Sequence, residues 1–153
     1  KSPEMGYVGE ITAVDPAPLI VLLKAGYMPV VAPISFGSVE GRVTLLNVNG
    51  DTAAGEIAAA LAAEKLIFLT DVDGIHDGSG QMIPSLSLAE AKDMLVSGVA
   101  SGGMIPKIEA SLRALTTAKV VRIRNGRVAG ALRDDITRKA RQNKSGGTTI
   151  VSE

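Results

Sequence analysis

The sequence predicts an α/β protein, a three-layer αβα sandwich around a mainly parallel central sheet. Segments with helical apolar spacing alternate with short apolar runs, which is the pattern of α/β folds. One run, Leu66 to Thr70, shows no polar alternation, so it reads as a central strand covered on both faces. Polar clusters of Asn, Asp and Gly mark element ends, where open α/β sheets bind ligands.

The chain has 153 residues, enough for one domain with a real core, and no boundary, repeat or low-complexity tract divides 1–153. Hydrophobic residues make up 46% and aromatic residues only 3%, so the core must be aliphatic. Sixteen basic residues balance sixteen acidic ones, so the basic excess of a nucleic-acid footprint is missing. The basic tail residues Arg138, Lys139, Arg141 and Lys144 read as a solvated helix face. Cysteine is absent, which excludes disulfides and thiolate metal sites and fits a reducing compartment. No run is long and apolar enough to span a membrane, and the amino end has no signal-peptide core. The expected location is cytoplasmic, with neither membrane nor nucleic acid as partner. The first residue is Lys, so an earlier part of the polypeptide is expected.

Taken in order, Tyr7, Val8 and Ile11 suit an edge strand. Asp15 and Pro16 open a helix as N-cap and first helical residue. Leu19, Ile20, Leu22 and Leu23 supply its apolar face, and Gly26 its C′ residue. Residues 28–33 (MPVVAP) read as a short buried strand. Ile34 to Leu46 contains Gly37 and Glu40–Gly41, with Val43 and Leu45 beyond, and reads as a hairpin-like excursion. Thr52 to Ala63 is an Ala-rich helix whose small side chains let it lie close to the sheet. After the 66–70 strand comes an acidic turn, Asp71 to Gly74, then a polar loop to Pro84. Ser87 and Glu90 form a capping box for a helix ending at Val96, with Gly98 beyond. Residues 101–107 (SGGMIPK) lead into a helix to about Thr117, with Pro106 in its first turn. Val120 to Ile123 is a strand, Asn125 and Gly126 a turn, Ala131 to Gln142 an exposed helix and Thr148 to Val151 a last strand.

Three clusters carry candidate chemistry. Asn47 and Asn49 fall on one side of an extended segment, with Asp51 at a helix start. They present amides and a carboxylate to a ligand, or one of Asn49 and Asp51 is simply the N-cap, the commoner role for such residues. Thr70, Asp71, Val72, Asp73 and Gly74 leave the strand end, where Asp71 suits a ribose hydroxyl or an ordinary Asp–Gly turn. Gly102 and Gly103 precede a helix, so free N–H groups and the positive dipole end suit phosphate. Lys107, one turn in, adds a full charge. His76 is the single histidine and reads as a loop residue with no catalytic role. Amides, carboxylates, a Gly-rich anion site and one lysine together match phosphoryl transfer, where positioning and charge neutralisation carry catalysis. No residue cluster suggests a protein-held metal.

The runs 47–55 (NVNGDTAAG), 64–75 (EKLIFLTDVDGI) and 101–107 (SGGMIPK) resemble the N-acetylglutamate kinase family of the amino-acid kinase superfamily. Residues 7–10 (YVGE), 25–33 (AGYMPVVAP) and 125–128 (NGRV) fit the same family, in order and with matching spacing. The resemblance covers nearly the whole chain and corresponds to roughly the second, nucleotide-binding half of the family's length. It implies an amino-acid kinase-like fold and ATP-dependent phosphorylation of the γ-carboxylate of N-acetyl-L-glutamate in arginine biosynthesis. It implies that Asn47, with Asn49 beside it, binds acetylglutamate and that Asp51 holds catalytic lysines, Lys107 among them. Lys107 stabilises the transferring phosphoryl group. Thr70 to Gly74, Ile75 and His76 line the nucleotide site with Val99, Ala100, Ser101, Gly102 and Gly103. Magnesium accompanies ATP, and the complete protein is expected to be a homo-oligomer. The alternatives are a kinase for a related acid of the aminoadipate type and a non-catalytic nucleotide-binding or regulatory module.

The family's first half carries a Gly-rich phosphate loop, a second lysine, a Gly–Gly pair and a substrate arginine. None lies within 1–153, so these residues alone are expected to bind nucleotide without catalysing. Arginine-inhibited members carry a His and a Glu where Gly130 and Asp135 stand here. Arg122 and Arg124 also replace the usual apolar or acidic residues, so the arginine-sensitive pattern is not reproduced.

Overall fold

The computed structural model describes residues 6–137 and 146–152. Its elements are α1 Ala17–Lys24, β1 Ile34–Val39, β2 Arg42–Asn47, α2 Gly50–Ala60, β3 Lys65–Thr70, β4 Ser85–Ser87, α3 Leu88–Val96, α4 Met104–Ala114, β5 Val120–Asn125, α5 Ala131–Thr137 and β6 Thr148–Val151. The main sheet has the order β3-β5-β6-β4. β3 pairs with β5 and β4 with β6 in parallel, while β5 and β6 are antiparallel.

Register explains the three layers. Leu66 and Phe68 stand opposite Val121 and Ile123, so all four point to one face of the sheet. There they meet Ala58 of α2, Ala91 and Met94 of α3, and Ile108 and Ala114 of α4 in one apolar cluster. Arg122 and Arg124 alternate with these residues and point to the other face, where α5 places Asp135. Phe68 is the one aromatic residue in that cluster, so the core is aliphatic as composition requires.

Most element expectations hold. α1 begins one residue later than expected, with Pro16 as N-cap in place of Asp15, although the Asp15 carboxylate still accepts from the Ala17 N–H at 2.9 Å; Gly26 at φ +83° follows its end as expected. The hairpin turns at Glu40 and Gly41, both at positive φ, the backbone of a two-residue turn matched to strand twist. Tyr7 to Gly9 bond to Asn47 as an added strand edge. Pro106 lies within the first turn of α4.

Three expectations need correction. Residues 28–33 form no strand, and Met28 and Val30 are 88% and 95% exposed. Their apolar sequence is a strand pattern, but no neighbouring strand among the described residues satisfies their backbone. Among the described residues β3 is an edge strand rather than a central one, and Leu69 is half exposed. The last helix is not uniformly exposed: Asp135 is fully buried. Its predicted continuation to Gln142, with the basic tail residues, lies outside the described residues. The short strand β4 was also not foreseen, because three residues carry no periodicity.

The capping box of α3 forms as expected. The Glu90 carboxylate accepts from the Ser87 N–H at 2.7 Å and from its hydroxyl at 2.8 Å. The backbone bond, then the hydroxyl bond, hold the Glu90 carboxyl below its usual 4.5. A depressed carboxyl stabilises the fold fully above its unfolded pKa and loses that contribution as pH falls through the folded value. Glu90→Gln should therefore show its largest Tm deficit above pH 4.5, closing as the pH is lowered further. A deficit independent of pH in thermal melts would show that the carboxylate charge does not matter.

Candidate functional site

A cleft of about 400 Å³ opens where β3 ends and α4 begins. Thr70, Asp71 and Val72 continue from β3 to form one wall, and Gly74, Ile75, His76 and Asp77 line it as the chain turns away. Val99, Ala100 and Ser101 bring the opposite wall from the end of α3, and Gly103, Met104 and Lys107 belong to the first turns of α4. The first wall is pinned from inside. The buried Thr148 hydroxyl accepts from the Ile75 N–H at 2.8 Å and donates to the Ile83 carbonyl at 2.6 Å. The loop beyond is tied by Asp77, whose Oδ1 accepts from Ser79 and Gln81 N–H groups, both at 2.9 Å. Those bonds, led by the Ser79 hydroxyl, hold the Asp77 carboxyl below its usual value.

Lys107 reaches the Asp51 carboxylate on α2 at 2.9 Å, with both side chains largely buried. Asp51 lies in the first helical turn and is not the cap: Asn49 caps α2, its Oδ1 accepting from the Thr52 N–H at 3.0 Å. Glu56 pairs with Arg113 at 2.9 Å, and the Thr117 hydroxyl donates to the Ala59 carbonyl. These links advance in the same direction along both helices, so α2 and α4 run parallel. Their amino ends, each with positive dipole character, therefore lie at the same edge of the molecule.

The tip of α4 has no side-chain cap. Its Met104 and Ile105 N–H groups bond back to the Ser101 and Gly102 carbonyls, so fewer donors are open than the glycines alone suggest. The Gly102 and Gly103 N–H groups make no such bond among the described residues.

The sequence-selected residues divide into three groups. Thr70, Asp71, Val72, Gly74, Ile75, His76, Val99, Ala100, Ser101, Gly103 and Lys107 share the cleft, and Asp51 joins it through Lys107. Asp73 and Gly102 adjoin the cleft without lining it, and Asp73 pairs with His76 at 3.0 Å. Asn47 and Asn49 are exposed and lie outside it, with Asn49 beside Gly9 and Glu10 in a separate hollow. Asp77, Met94 and Met104 also line the cleft and were missed. Asp77 looks like any loop acid. The methionines occupy apolar helix positions, and no local signal separates such residues from ordinary core. Among the described residues, no group of three or more His, Asp or Glu side chains is arranged to hold a metal ion.

Fold and cleft define an α/β protein whose cleft lies at a strand carboxyl end against a helix amino end. Residues 1–125 match the amino acid kinase family, and the chain belongs to that family. It is 39% identical to an acetylglutamate kinase of Dehalococcoides mccartyi over 156 aligned residues, covering all of this chain and 56% of that protein. It is 46% identical to an acetylglutamate kinase of Gluconacetobacter diazotrophicus, over 84% of this chain and 40% of that protein. The chain thus spans about half the length of the curated relatives it matches. Among solved structures, N-acetylglutamate synthase from Neisseria gonorrhoeae, complexed with coenzyme A and L-arginine, superposes with a TM-score of 0.81 at 31% identity. That match covers 97% of this chain and 33% of the synthase. Carbamate kinase from Giardia lamblia bound to AMP-PNP shares the fold, with a TM-score of 0.58 at 21% identity over 76% of this chain and 36% of that one. No helix among the described residues is long and apolar enough to cross a membrane.

Proposed function

We propose that this chain is the nucleotide-binding portion of a kinase that moves the γ-phosphoryl group of ATP to the γ-carboxylate of N-acetyl-L-glutamate, a step of arginine biosynthesis. The observation that carries this reading is the Lys107–Asp51 pair, held at 2.9 Å beside the uncapped tip of α4. A carboxylate attacking a phosphate brings two anions together, so the site must neutralise charge that grows in the transition state. The Lys107 ammonium supplies that cation. Asp51 restricts its position, so little reorganisation is needed when charge develops. The open N–H groups of Gly102 and Gly103 and the positive end of α4 suit phosphate oxygens. The cleft volume of about 400 Å³ falls within the usual range for small-ligand and cofactor sites. Asp71 stands at the strand end, where a ribose hydroxyl would be held. Magnesium would enter with ATP and coordinate chiefly its phosphate oxygens.

The acid substrate would sit towards Asn47, outside the cleft. The exposed apolar surface supports a further portion of the fold. None of residues 6–47 is buried, and the first helix, the hairpin and 27–33 display Leu23, Tyr27, Met28, Val30 and Phe36. A surface of this kind calls for a cover. The relatives carry additional length to supply one, and the acid-binding groups would come with it. Residues 1–153 alone would then bind nucleotide without turnover.

The test is ADP release by the complete protein with ATP and magnesium, with hydroxylamine trapping of the acyl phosphate. N-acetyl-L-glutamate should outpace glutamate and aminoadipate derivatives. Faster turnover of an aminoadipate derivative would move the assignment to a related acid. ATP binding with no turnover of any acid would identify a non-catalytic module.

A further inference from the structure

We infer that Gly55 is a positioning residue whose missing side chain sets the separation of α2 and α4, and with it the placement of the Lys107–Asp51 pair. Gly55 lies one turn beyond Asp51 on α2, and Ala110 lies close to one turn beyond Lys107 on α4. A Cβ at Gly55 would stand 2.6 Å from the Ala110 carbonyl oxygen, 2.8 Å from its Cα and 2.9 Å from its Cβ. Two of these three atoms are backbone, so a rotamer change cannot relieve the overlap. Relief requires the helices to part by about 1 Å, the difference between these distances and ordinary van der Waals contact.

The parallel register makes this spacing functional. Asp51, Gly55, Glu56 and Ala59 meet Lys107, Ala110, Arg113 and Thr117 in sequence, so a wedge at Gly55 acts one turn from the ion pair. A lysine stem has enough play to follow a retreating carboxylate. It cannot do so and also keep its ammonium in the same place in the cleft that Gly103 and Ser101 line, because those residues travel with α4. Of the two glycines on α2, Gly55 and not Gly50 has backbone of α4 inside the radius of a methyl group. Glycine in mid-helix destabilises the helix relative to alanine. A close approach that no other residue allows explains its presence there.

The kinetic arm of the test rests on the kinase reading; the structural arm does not. In the complete protein, Gly55→Ala should lower kcat by about ten- to a hundredfold, the scale of an ångström misplacement in an active site, with KM for ATP changed by less than about twofold. A crystal structure of the variant should show α2 and α4 further apart and the Lys107 ammonium displaced relative to Gly103. Ala114→Gly, which weakens the partner helix α4 at its far end without adding volume, should lower Tm and leave kcat within about twofold. Asp51→Glu lengthens the acid within the unaltered gap. It should also lower kcat, while the Gly55→Ala, Asp51→Glu double variant should recover at least about tenfold over Gly55→Ala alone, since the two displacements oppose each other. Unmoved helices in Gly55→Ala, or a kcat loss matched by Ala114→Gly at equal Tm loss, would overturn the inference. If Gly55→Ala does not fold, Asp51→Glu decides, and full turnover in it counts against the proposal. If the unaltered protein phosphorylates no acid, the kinase reading fails and the crystallographic spacing alone judges Gly55.

Discussion

Lys107→Ala should lower turnover of the complete protein by about 10²–10³-fold while ATP affinity falls far less. On the proposed reading the ammonium would meet the nucleotide in the ground state too, but most of the negative charge it opposes would develop as the phosphoryl group transfers. An interaction that strengthens in the transition state appears in kcat and only weakly in binding. Asp51→Ala should fall in the same direction, because it frees the ammonium from its 2.9 Å tether. Loss of a helix cap cannot explain such an effect, since Asn49 and not Asp51 caps α2. Removing an acid from a helix's first turn costs about 0.3–1 kcal/mol of stability, which leaves the protein folded. Steady-state kinetics with calorimetric ATP titration separate the two quantities. Equal losses in both would make Lys107 an anchor and nothing more.

Asp135→Ala should be the most destabilising single change outside the cleft, by about 3–5 kcal/mol or about 10 °C in Tm. Asp135 is fully buried on the face of the sheet opposite the main core. Its Oδ1 lies 3.3 Å from Nε of Arg122 and 3.4 Å from Nη1 of Arg124. Its carbonyl accepts from the Lys65 ammonium. Arg122 also donates to the Thr149 hydroxyl and to the Gly146 carbonyl. Burial pushes the Arg122 guanidinium down from its usual value and the Asp135 charge pulls it back up. Removing the carboxylate leaves two buried guanidiniums facing each other with their compensating charge gone. Replacing Arg122 and Asp135 together by apolar residues of similar size should cost much less, because neither leaves a charge stranded. A thermal melt of Asp135→Ala within about 2 °C of the parent would show that the cluster does not compensate charge in this way.

This cluster also marks the limit of what the residues reveal by themselves. Arg122 and Arg124 interrupt an apolar run, and Asp135 sits in a charged segment. Period-2 alternation allowed the arginines to face away from the core, but nothing local said that a helix would cover them. Asp135 therefore read as solvated. The opposite failure occurred at 28–33, where an apolar pattern promised burial that a strand obtains only from neighbours. Leu66 to Thr70 was recognised as a strand from its composition, yet its place at the sheet edge depends on which strands pair with it.

Local chemistry determined most of the rest. The Ser87–Glu90 box, the Glu40–Gly41 turn, Pro106 in a first helical turn and the aliphatic core follow from groups a few residues apart. Short-range sterics and hydrogen bonding settle such features wherever the segment sits. The acidic turn after β3 and the glycines before α4 were likewise legible as polar element ends. That they share a cleft and that Lys107 meets Asp51 across 56 residues was implied by the family resemblance and by no local spacing; the tertiary structure supplies the contact itself, and it alone places Asn47 and Asn49 outside that cleft. It alone showed that Gly55 is a contact and not a weakness in a helix. These outcomes depend on the distance between two surfaces brought together by packing, and no spacing along the chain encodes that distance.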